Sequence, residues 1–270
     1  MNLPKITPAQ TWALVTGAGT GIGRSYALQL AALGYNLILV GNHDATLHAV
    51  VRELKPLAPN QQFRPLVMDL ARIDAAEELY EAIAAAGIEI DLLINNAGIF
   101  SFCDVMNTSE ERIERILLLH DMTATKLCRR YAMRMRERGV KGHILNMSSY
   151  SLWMPFPGLA IYSASKAYLK AFSVAFSKEV EEHGITVTAI CPAGVATDLY
   201  GLPHNLQELG VRIGGLITPD NCARRALNAL WRGKRCVVPD WWNRLWIPLL
   251  VHLPMCILRP IRRRTLKYQK

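Results

Sequence analysis

Short, continuously apolar runs alternate with longer amphipathic segments along most of the chain. The runs, which we predict to be β-strands, cover residues 12–16, 36–41, 63–68, 92–95, 143–147, 186–191 and 236–238. The amphipathic segments, which we predict to be helices, lie near residues 22–33, 44–55, 73–86, 108–138, 162–183 and 219–232. Strands that are apolar throughout are typical of a parallel sheet covered by helices on both faces. The pattern therefore predicts an α/β fold with one doubly wound sheet of about seven strands.

Length and composition fit one domain with a substantial core. The chain has 270 residues, of which 51% are hydrophobic and 20% are charged, and this balance argues against disorder. No internal repeat or linker occurs before about residue 240. We therefore expect one domain over residues 1–240, followed by an extension over residues 241–270, here called the tail.

The cysteines and the first residues indicate where the protein resides. Six cysteines are scattered without C-x-x-C pairs, a pattern that fits neither a zinc site nor a disulfide framework. The first twelve residues lack the apolar run of a signal peptide. We expect a cytoplasmic protein without a metal site.

The net charge of +9 is concentrated in the tail. No acidic residue follows Asp240, and the tail carries seven basic residues, so residues 1–240 hold only +2 (9 − 7). The tail's basic residues are Arg244, Arg259, Arg262, Arg263, Arg264, Lys267 and Lys270. Because the basic residues form no stripe across the domain, we expect no nucleic-acid partner.

A glycine-rich turn, TGAGTGIG, follows the first predicted strand and precedes the first predicted helix. Such a turn lets backbone approach a pyrophosphate and directs the helix N-terminus at its negative charge. Its position within a β-α-β unit predicts nucleotide binding, although the spacing G-x-x-x-G-x-G differs from the usual dinucleotide pattern. The predicted binding residues are Gly17, Gly19, Thr20, Gly21, Ile22 and Gly23.

Tyr162 and Lys166 form a second candidate pair, four residues apart on a predicted helix. Residues at this spacing share one helix face. A phenol loses its proton near pH ~10, and a nearby ammonium lowers that pKa. The spacing suits a tyrosine that donates or accepts a proton.

Together with further motifs in the same order, these features resemble the classical short-chain dehydrogenase/reductase family over roughly residues 10–240. Ser149 stands 13 residues before Tyr162, the separation found in that family. The other matching motifs are Asp69-Leu70 after the third strand, Asn95-Asn96-Ala97-Gly98 after the fourth, and Pro192-Ala193-Gly194-Val195-Ala196-Thr197 after the sixth.

The resemblance implies a Rossmann-type fold and an NAD(P)-dependent oxidoreductase. Tyr162 would move a proton to or from the substrate oxygen, which Ser149 would hydrogen-bond. Lys166 would lower the phenol's pKa and hold the ribose of the nicotinamide. Beyond the glycine-rich turn, Tyr162 and Lys166, the implied cofactor contacts are Asp69, Leu70, Asn96, Ala97, Gly98, Pro192, Gly194, Val195 and Thr197.

Two positions depart from the family pattern. His120 stands where the family usually has an asparagine that supports a proton-conducting water. The histidine either holds the same water as a catalytic residue or is a hydrogen-bonded core residue, and the helix is a candidate for distortion there. Ala193 replaces a glycine, which is a mild change.

The end of the second strand indicates the cofactor. It carries Gly41 and Asn42 where an NAD-preferring enzyme usually has an acid, and Asp44 is expected to cap the helix from Ala45. We therefore favour NADP over NAD, with Asn42 as a cofactor contact.

Apolar residues predominate at the expected substrate side. Residues 152–156 follow Ser149, and residues 199–217 match a segment that forms a mobile flap in the family. These segments favour a small, hydrophobic carbonyl or alcohol substrate. The family commonly pairs its two long central helices between subunits, so a homodimer or homotetramer is expected.

The tail leaves two interpretations open. Its uncharged stretch, residues 245–258, is shorter than the ~20 residues of a membrane span. Tryptophans followed by basic residues suit peripheral contact with a lipid surface, whereas packing on the pocket or on another subunit is the alternative. Two further function classes also stay open: a cofactor-binding regulatory pseudoenzyme and an interaction protein on the same scaffold.

Overall fold

The computed structural model describes residues 11–154 and 156–265. Seven parallel strands form one sheet in the order β3-β2-β1-β4-β5-β6-β7. Their bounds are β1 Trp12–Thr16, β2 Asn36–Gly41, β3 Phe63–Val67, β4 Ile90–Asn95, β5 His143–Met147, β6 Thr186–Ile190 and β7 Cys236–Val237. The predicted α/β class and the parallel sheet of seven strands are confirmed.

Helices cover both faces of the sheet and continue into the tail. Those of residues 11–240, here called the body, are α1 Gly21–Ala32, α2 Asp44–Leu57, α3 Ala75–Ala85, α4 Glu110–Leu117, α5 Ala124–Glu137, α6 Ala160–Glu179, α7 His204–Arg212 and α8 Pro219–Trp231. The tail contributes α9 Trp241–Arg244, α10 Ile247–Val251 and α11 Met255–Thr265.

Alternate residues of each central strand enter different cores. In β1, Ala13 and Val15 belong to the core beneath α1, α2 and α8, whereas Trp12 and Leu14 face the core beneath α3 and α5. Because both faces are buried, all four residues from Trp12 to Val15 are apolar, and only the last residue, Thr16, is polar. This accounts for the continuous apolar runs in the sequence.

The strand order reverses between β1 and β4. β1 continues to β2 and β3 on one side, and β4 leads to β5, β6 and β7 on the other. Open parallel sheets bind ligands in the crevice outside the carboxyl ends of the strands at such a point. The fold therefore places the functional site beside Thr16 and Asn95, the last residues of β1 and β4.

The structure differs from the predicted elements in three places. The helix expected over residues 108–138 is interrupted by a π-helical segment, Leu118–Thr123. This segment contains His120, the residue at which the sequence made a distortion a candidate. α7 lies inside the predicted flap, where the glycines concealed the helical pattern. Asp44 is the first residue of α2 rather than its cap, and it pairs with His48, one turn later (3.3 Å).

The tail rests against the body. The Tyr150 hydroxyl donates a hydrogen bond to the Asn243 carbonyl oxygen, and an ion pair joins Arg262 of α11 to Asp104, in the loop after β4. None of the described helices combines the length and the apolar composition that crossing a membrane requires.

Candidate active site

A cavity of about 700 Å³ opens at the carboxyl ends of the central strands, a size typical of small-molecule sites. It collects most of the residues that the sequence singled out. The predicted residues that line it are Gly17, Gly19, Thr20, Gly21, Ile22, Asn42, Asn96, Ala97, Gly98, Ser149, Tyr162, Lys166, Pro192, Val195 and Thr197.

The glycine-rich turn forms one wall of this cavity. Gly17 has a φ of 64°, a conformation that other residues rarely adopt. Gly23 lies behind the turn, where a Cβ atom would stand 1.9 Å from the carbonyl oxygen of Gly17. Only glycine at position 23 lets α1 begin this close to the turn, which leaves the loop backbone exposed to a ligand.

The Asn95–Gly98 segment ties the turn to β4. Asn96 donates from its side-chain amide to the carbonyl oxygens of Thr16 (3.0 Å) and Gly17 (3.1 Å). The Thr16 hydroxyl oxygen accepts the amides of Asn96 and Ala97, each at 3.0 Å. These bonds hold the ends of β1 and β4 together at the point where the strand order reverses.

Asn95 points away from the cavity and into the sheet. Its side-chain amide donates to the Asn146 side-chain oxygen (2.8 Å), and the Asn146 amide donates to the Ser173 hydroxyl (2.8 Å). All three side chains are buried. This chain of hydrogen bonds joins β4, β5 and α6 and therefore sets where α6 presents its first turns.

Tyr162 and Lys166 lie on those first turns of α6, and both are nearly buried. The Lys166 ammonium nitrogen donates to the Met147 carbonyl oxygen (3.0 Å) and stands 5.7 Å from the centre of the Tyr162 ring. Burial lowers the pKa of Lys166 to about 8, against the opposing charge of Asp121. The amine therefore keeps its charge at neutral pH, but it loses its proton more easily than an exposed lysine does.

Ser149 is distinguished from its neighbours by its hydrogen bonds. The Ser148 hydroxyl also lines the cavity, but it donates its proton to the Lys166 carbonyl oxygen (2.6 Å). The Ser149 oxygen instead accepts the Ser151 amide (3.1 Å). Accepting this bond leaves the hydroxyl hydrogen of Ser149 for a group in the cavity.

His120 lies behind the site, not among the residues that line it. Its Nε2 accepts the Ile99 amide and its Nδ1 lies 2.9 Å from the Ser165 hydroxyl oxygen, which donates its own proton to the Tyr162 carbonyl oxygen. Nδ1 must therefore carry the ring proton. Burial, with the nearby charge of Lys166, moves the pKa of His120 well below its usual value. Both nitrogens of a neutral ring are used by protein partners, which favours the core interpretation of this histidine.

Asp121 is a charged neighbour that sequence reasoning missed. It follows His120 on the π-helical segment and is half-buried, and burial raises the pKa of its carboxyl group to about 7. One of its carboxylate oxygens has no hydrogen-bond partner within the described part of the chain. Its negative charge raises the pKa of Lys166. The residue spacing of a regular α-helix does not predict this effect, because Asp121 lies on a π-helical turn.

Four further predicted residues do not line the cavity: Asp69, Leu70, Gly23 and Gly194. The Asp69 carboxylate pairs with Arg115 (3.0 Å) and accepts the Ala71 amide (2.9 Å). The contact between Asp69 and the adenine of the cofactor therefore stays a prediction.

Comparisons with known proteins agree with this geometry. Residues 11–203 match the family model described as short chain dehydrogenase. The very-long-chain 3-oxoacyl-CoA reductase of Ajellomyces capsulatus is 33% identical over 191 residues, which are 70% of this chain and 56% of the relative. The chain thus spans little more than half the length of that curated relative.

Two solved structures share most of this fold. A short-chain dehydrogenase from Sphingobium yanoikuyae in complex with NADPH is 27% identical with a TM-score of 0.77, over 90% of this chain and 96% of the other. The bulky-bulky ketone specific alcohol dehydrogenase from Comamonas testosteroni is 25% identical with a TM-score of 0.75, over 91% and 96%. With its sheet order, glycine-rich turn and matched residues, this chain belongs to the short-chain dehydrogenase/reductase family.

Proposed function

We propose that this protein is an NAD(P)-dependent oxidoreductase that acts on the carbonyl or alcohol group of a hydrophobic substrate. The observation that carries the proposal is the burial of Tyr162 and Lys166 on one face of α6, beside Ser149 at the wall of the same cavity. The nicotinamide, when bound, supplies or accepts the hydride.

Each residue has a distinct role in this proposal. Tyr162 gives a proton to the carbonyl oxygen, or removes it from the alcohol, and Ser149 donates a hydrogen bond to the same oxygen. The charged Lys166 favours the phenolate of Tyr162. His120 acts as a positioning residue because it holds the Ile99 amide and, through Ser165, the first turn of α6.

The cavity fits a dinucleotide, and its walls support the preference for NADP. The end of β2 contributes Gly41, Asn42 and His43 to the lining, and no carboxylate comes from this segment. A ribose 2′-phosphate would meet no fixed negative charge there. Arg24 also lines the cavity, but it is bound to Glu53 (3.1 Å). The Sphingobium protein was solved in complex with NADPH, which also supports the preference for NADP.

Apolar surfaces beside the site support a hydrophobic substrate. Helix α7, in the flap, exposes Leu206 and Leu209, and Leu202 before it and Ile213 after it are exposed as well. Leu152, Trp153 and Met154 follow Ser149, while Pro155 lies outside the described residues. The names of the Ajellomyces and Comamonas proteins, a reductase of long acyl chains and a dehydrogenase of bulky ketones, point to the same substrate class.

Assembly and location belong to the same proposal. Tyr168, Phe172 and Phe176 stack along α6, with ring centroids 6.2 Å and 5.3 Å apart. This surface suits pairing of α6 with a second copy, so a homodimer or homotetramer is expected by light scattering, and a monomer alone would contradict it.

The scattered free cysteines favour the cytoplasm, and the basic tail favours peripheral contact with a membrane.

Replacing Tyr162 tests the function directly. Tyr162→Phe removes the proton donor but keeps the packed ring, so turnover of an apolar ketone should fall by about 10²–10⁴-fold with cofactor affinity almost unchanged. Lys166→Ala should reduce both. Tyr168→Phe, on an exposed tyrosine of the same helix, is the matched control and should retain normal turnover.

The alternatives predict other outcomes. A regulatory pseudoenzyme would bind the cofactor and respond to it without turning over any carbonyl compound. A pure interaction protein would show no cofactor-dependent change in thermal stability. Near-normal rates in Tyr162→Phe would contradict the assigned chemistry.

A further inference from the structure

The tail exposes apolar residues on the face turned away from the protein. Residues 241–251 follow one nearly continuous helical path, because Leu245 and Trp246, between α9 and α10, also have right-handed helical backbone angles. Four residues on the exposed side of this path are here called the outer face. They are Trp242, Leu245, Trp246 and Leu249, at the spacing i, i+3, i+4 and i+7.

The body leaves about half or more of the surface of each of these side chains exposed. Leu245 is 62% exposed, Leu249 57% and Trp246 45%. The rings of Trp242 and Trp246 contact each other edge to face, with centroids 6.3 Å apart. A helix on a water-facing surface normally turns polar residues outward, so this face is built for a less polar surrounding than water.

The opposite face of the same helical path packs against the body. Asn243 accepts a hydrogen bond from Tyr150 through its carbonyl oxygen, and Ile247 and Leu250 pack against the cluster that contains Tyr150. Further along, Leu258 of α11 is buried. The inner contacts therefore hold the tail against the segment that follows Ser149, with the outer face directed away.

The charge of the tail favours one kind of occupant for the outer face. The tail carries seven basic residues and no acidic one, and Arg259 and Arg263 of α11 are exposed. A second copy of the tail would oppose these charges with the same charges, which disfavours tail-to-tail pairing. An anionic lipid surface would meet them favourably and would also accept tryptophan and leucine side chains at its headgroup layer.

We propose that the outer face docks on an anionic membrane surface and holds the substrate end of the protein beside the lipid. This deepens the proposed function: a protein placed in this way receives apolar carbonyl compounds directly from the bilayer. Docking itself does not depend on catalysis, so the two proposals are tested by separate measurements.

Co-sedimentation of the full-length protein with vesicles tests the docking. Vesicles of phosphatidylglycerol and phosphatidylcholine should sediment the protein at low salt and less of it at high salt, while pure phosphatidylcholine should bind weakly. The variant Leu245→Ser/Leu249→Ser should bind at least about tenfold less, since two leucines no longer enter the lipid. The control Ile73→Ser, on a 62% exposed residue of the body, should bind normally.

Three results would overturn the proposal. Wild-type protein that stays in the supernatant at low salt excludes a membrane contact. Unchanged binding of the double leucine variant places the contact elsewhere. Absence of vesicle binding, together with a smaller oligomer for the double variant in analytical ultracentrifugation, shows that a second copy covers the face. Cofactor-induced thermal shifts should remain normal in every variant, which separates this proposal from the catalytic one.

Discussion

Leu14 and Leu93 of the body are completely buried in the sheet, whereas Leu245 and Leu249 of the tail are more than half exposed. In the body, an apolar side chain contributes to stability because it lies between strands and helices. In the outer face of the tail, Leu245 and Leu249 keep most of their surface exposed and contribute less in this way. The comparison shows that the same residue type is used to fill a core in the body and is left largely exposed in the tail, where we propose that it meets a lipid surface.

Among the variants below, the largest effect on turnover is expected in the glycine-rich turn of the body. Gly23→Ala places a Cβ atom 1.9 Å from the Gly17 carbonyl oxygen, so the turn must move. We expect a loss of about 1–3 kcal/mol in the free energy of unfolding and of about 10²-fold in turnover because the cofactor is displaced. Urea unfolding and cofactor titration measure the two effects.

Gly87→Ala is the control for this substitution. A Cβ atom at Gly87 has no neighbour within 4 Å, although the φ of 67° makes the change mildly unfavourable. It should lower stability without changing cofactor affinity. Equal affinity losses in both variants would show that the turn does not bind the cofactor as proposed.

The next effect concerns the positioning role of His120. His120→Ala leaves the Ile99 amide without its acceptor and opens a cavity, which should cost about 1–3 kcal/mol of unfolding free energy. Because the first turn of α6 is then less well held, kcat should fall more than KM changes. His120→Asn restores a side-chain acceptor and should recover most of both losses. No recovery with asparagine would contradict the positioning role.

A smaller effect concerns pH. Below its pKa of about 8, Lys166 is charged and supports the phenolate of Tyr162; above it, this support is lost, so kcat/KM should decline as pH rises through about 8. The Asp121 carboxylate raises the pKa of Lys166, so Asp121→Asn should shift this decline to lower pH. Glu179→Gln, on an exposed residue at the other end of α6, should leave the profile unchanged. A shift to higher pH in Asp121→Asn would refute the coupling.

The smallest effect on stability is expected in the outer face. Leu245→Ser/Leu249→Ser should change the free energy of unfolding by no more than about 0.5 kcal/mol, since both side chains are exposed. Leu258→Ser, in the same tail but buried, should cost about 2–5 kcal/mol. Thermal or urea unfolding compares them, and equal losses would remove the distinction between the two faces of the tail.

Sequence patterns predicted the body well because its signals are local. The strand runs, the glycine-rich turn and the Tyr162–Lys166 spacing each follow from neighbouring residues, and the structure joins them at one cavity. The sequence indicated a distortion near residue 120 only through His120, whose ring accepts a hydrogen bond from the distant Ile99 amide, a contact that no local pattern shows. The effect of Asp121 on Lys166 depends on this turn and was missed.

The tail was ambiguous for a different physical reason. Both of its faces carry apolar residues, so hydrophobic spacing does not distinguish the face that packs on the body from the face that does not. The contacts of Asn243, Ile247 and Leu250 with the body resolve this choice. They show that one face of the tail packs on the body, and contact of the other face with a membrane stays a proposal.

Transfer of isotope from the cofactor tests the central proposal most directly. The protein is incubated with apolar ketones and with NADPH that carries deuterium at the transferable position of the nicotinamide, and the products are analysed by mass spectrometry. We expect deuterium on the carbinol carbon of the alcohol, and labelled product formed at least about 10²-fold more slowly by Tyr162→Phe even though that variant binds NADPH. Tight cofactor binding by the wild-type protein without label transfer to any ketone, acyl or ring-containing, would contradict the proposed function.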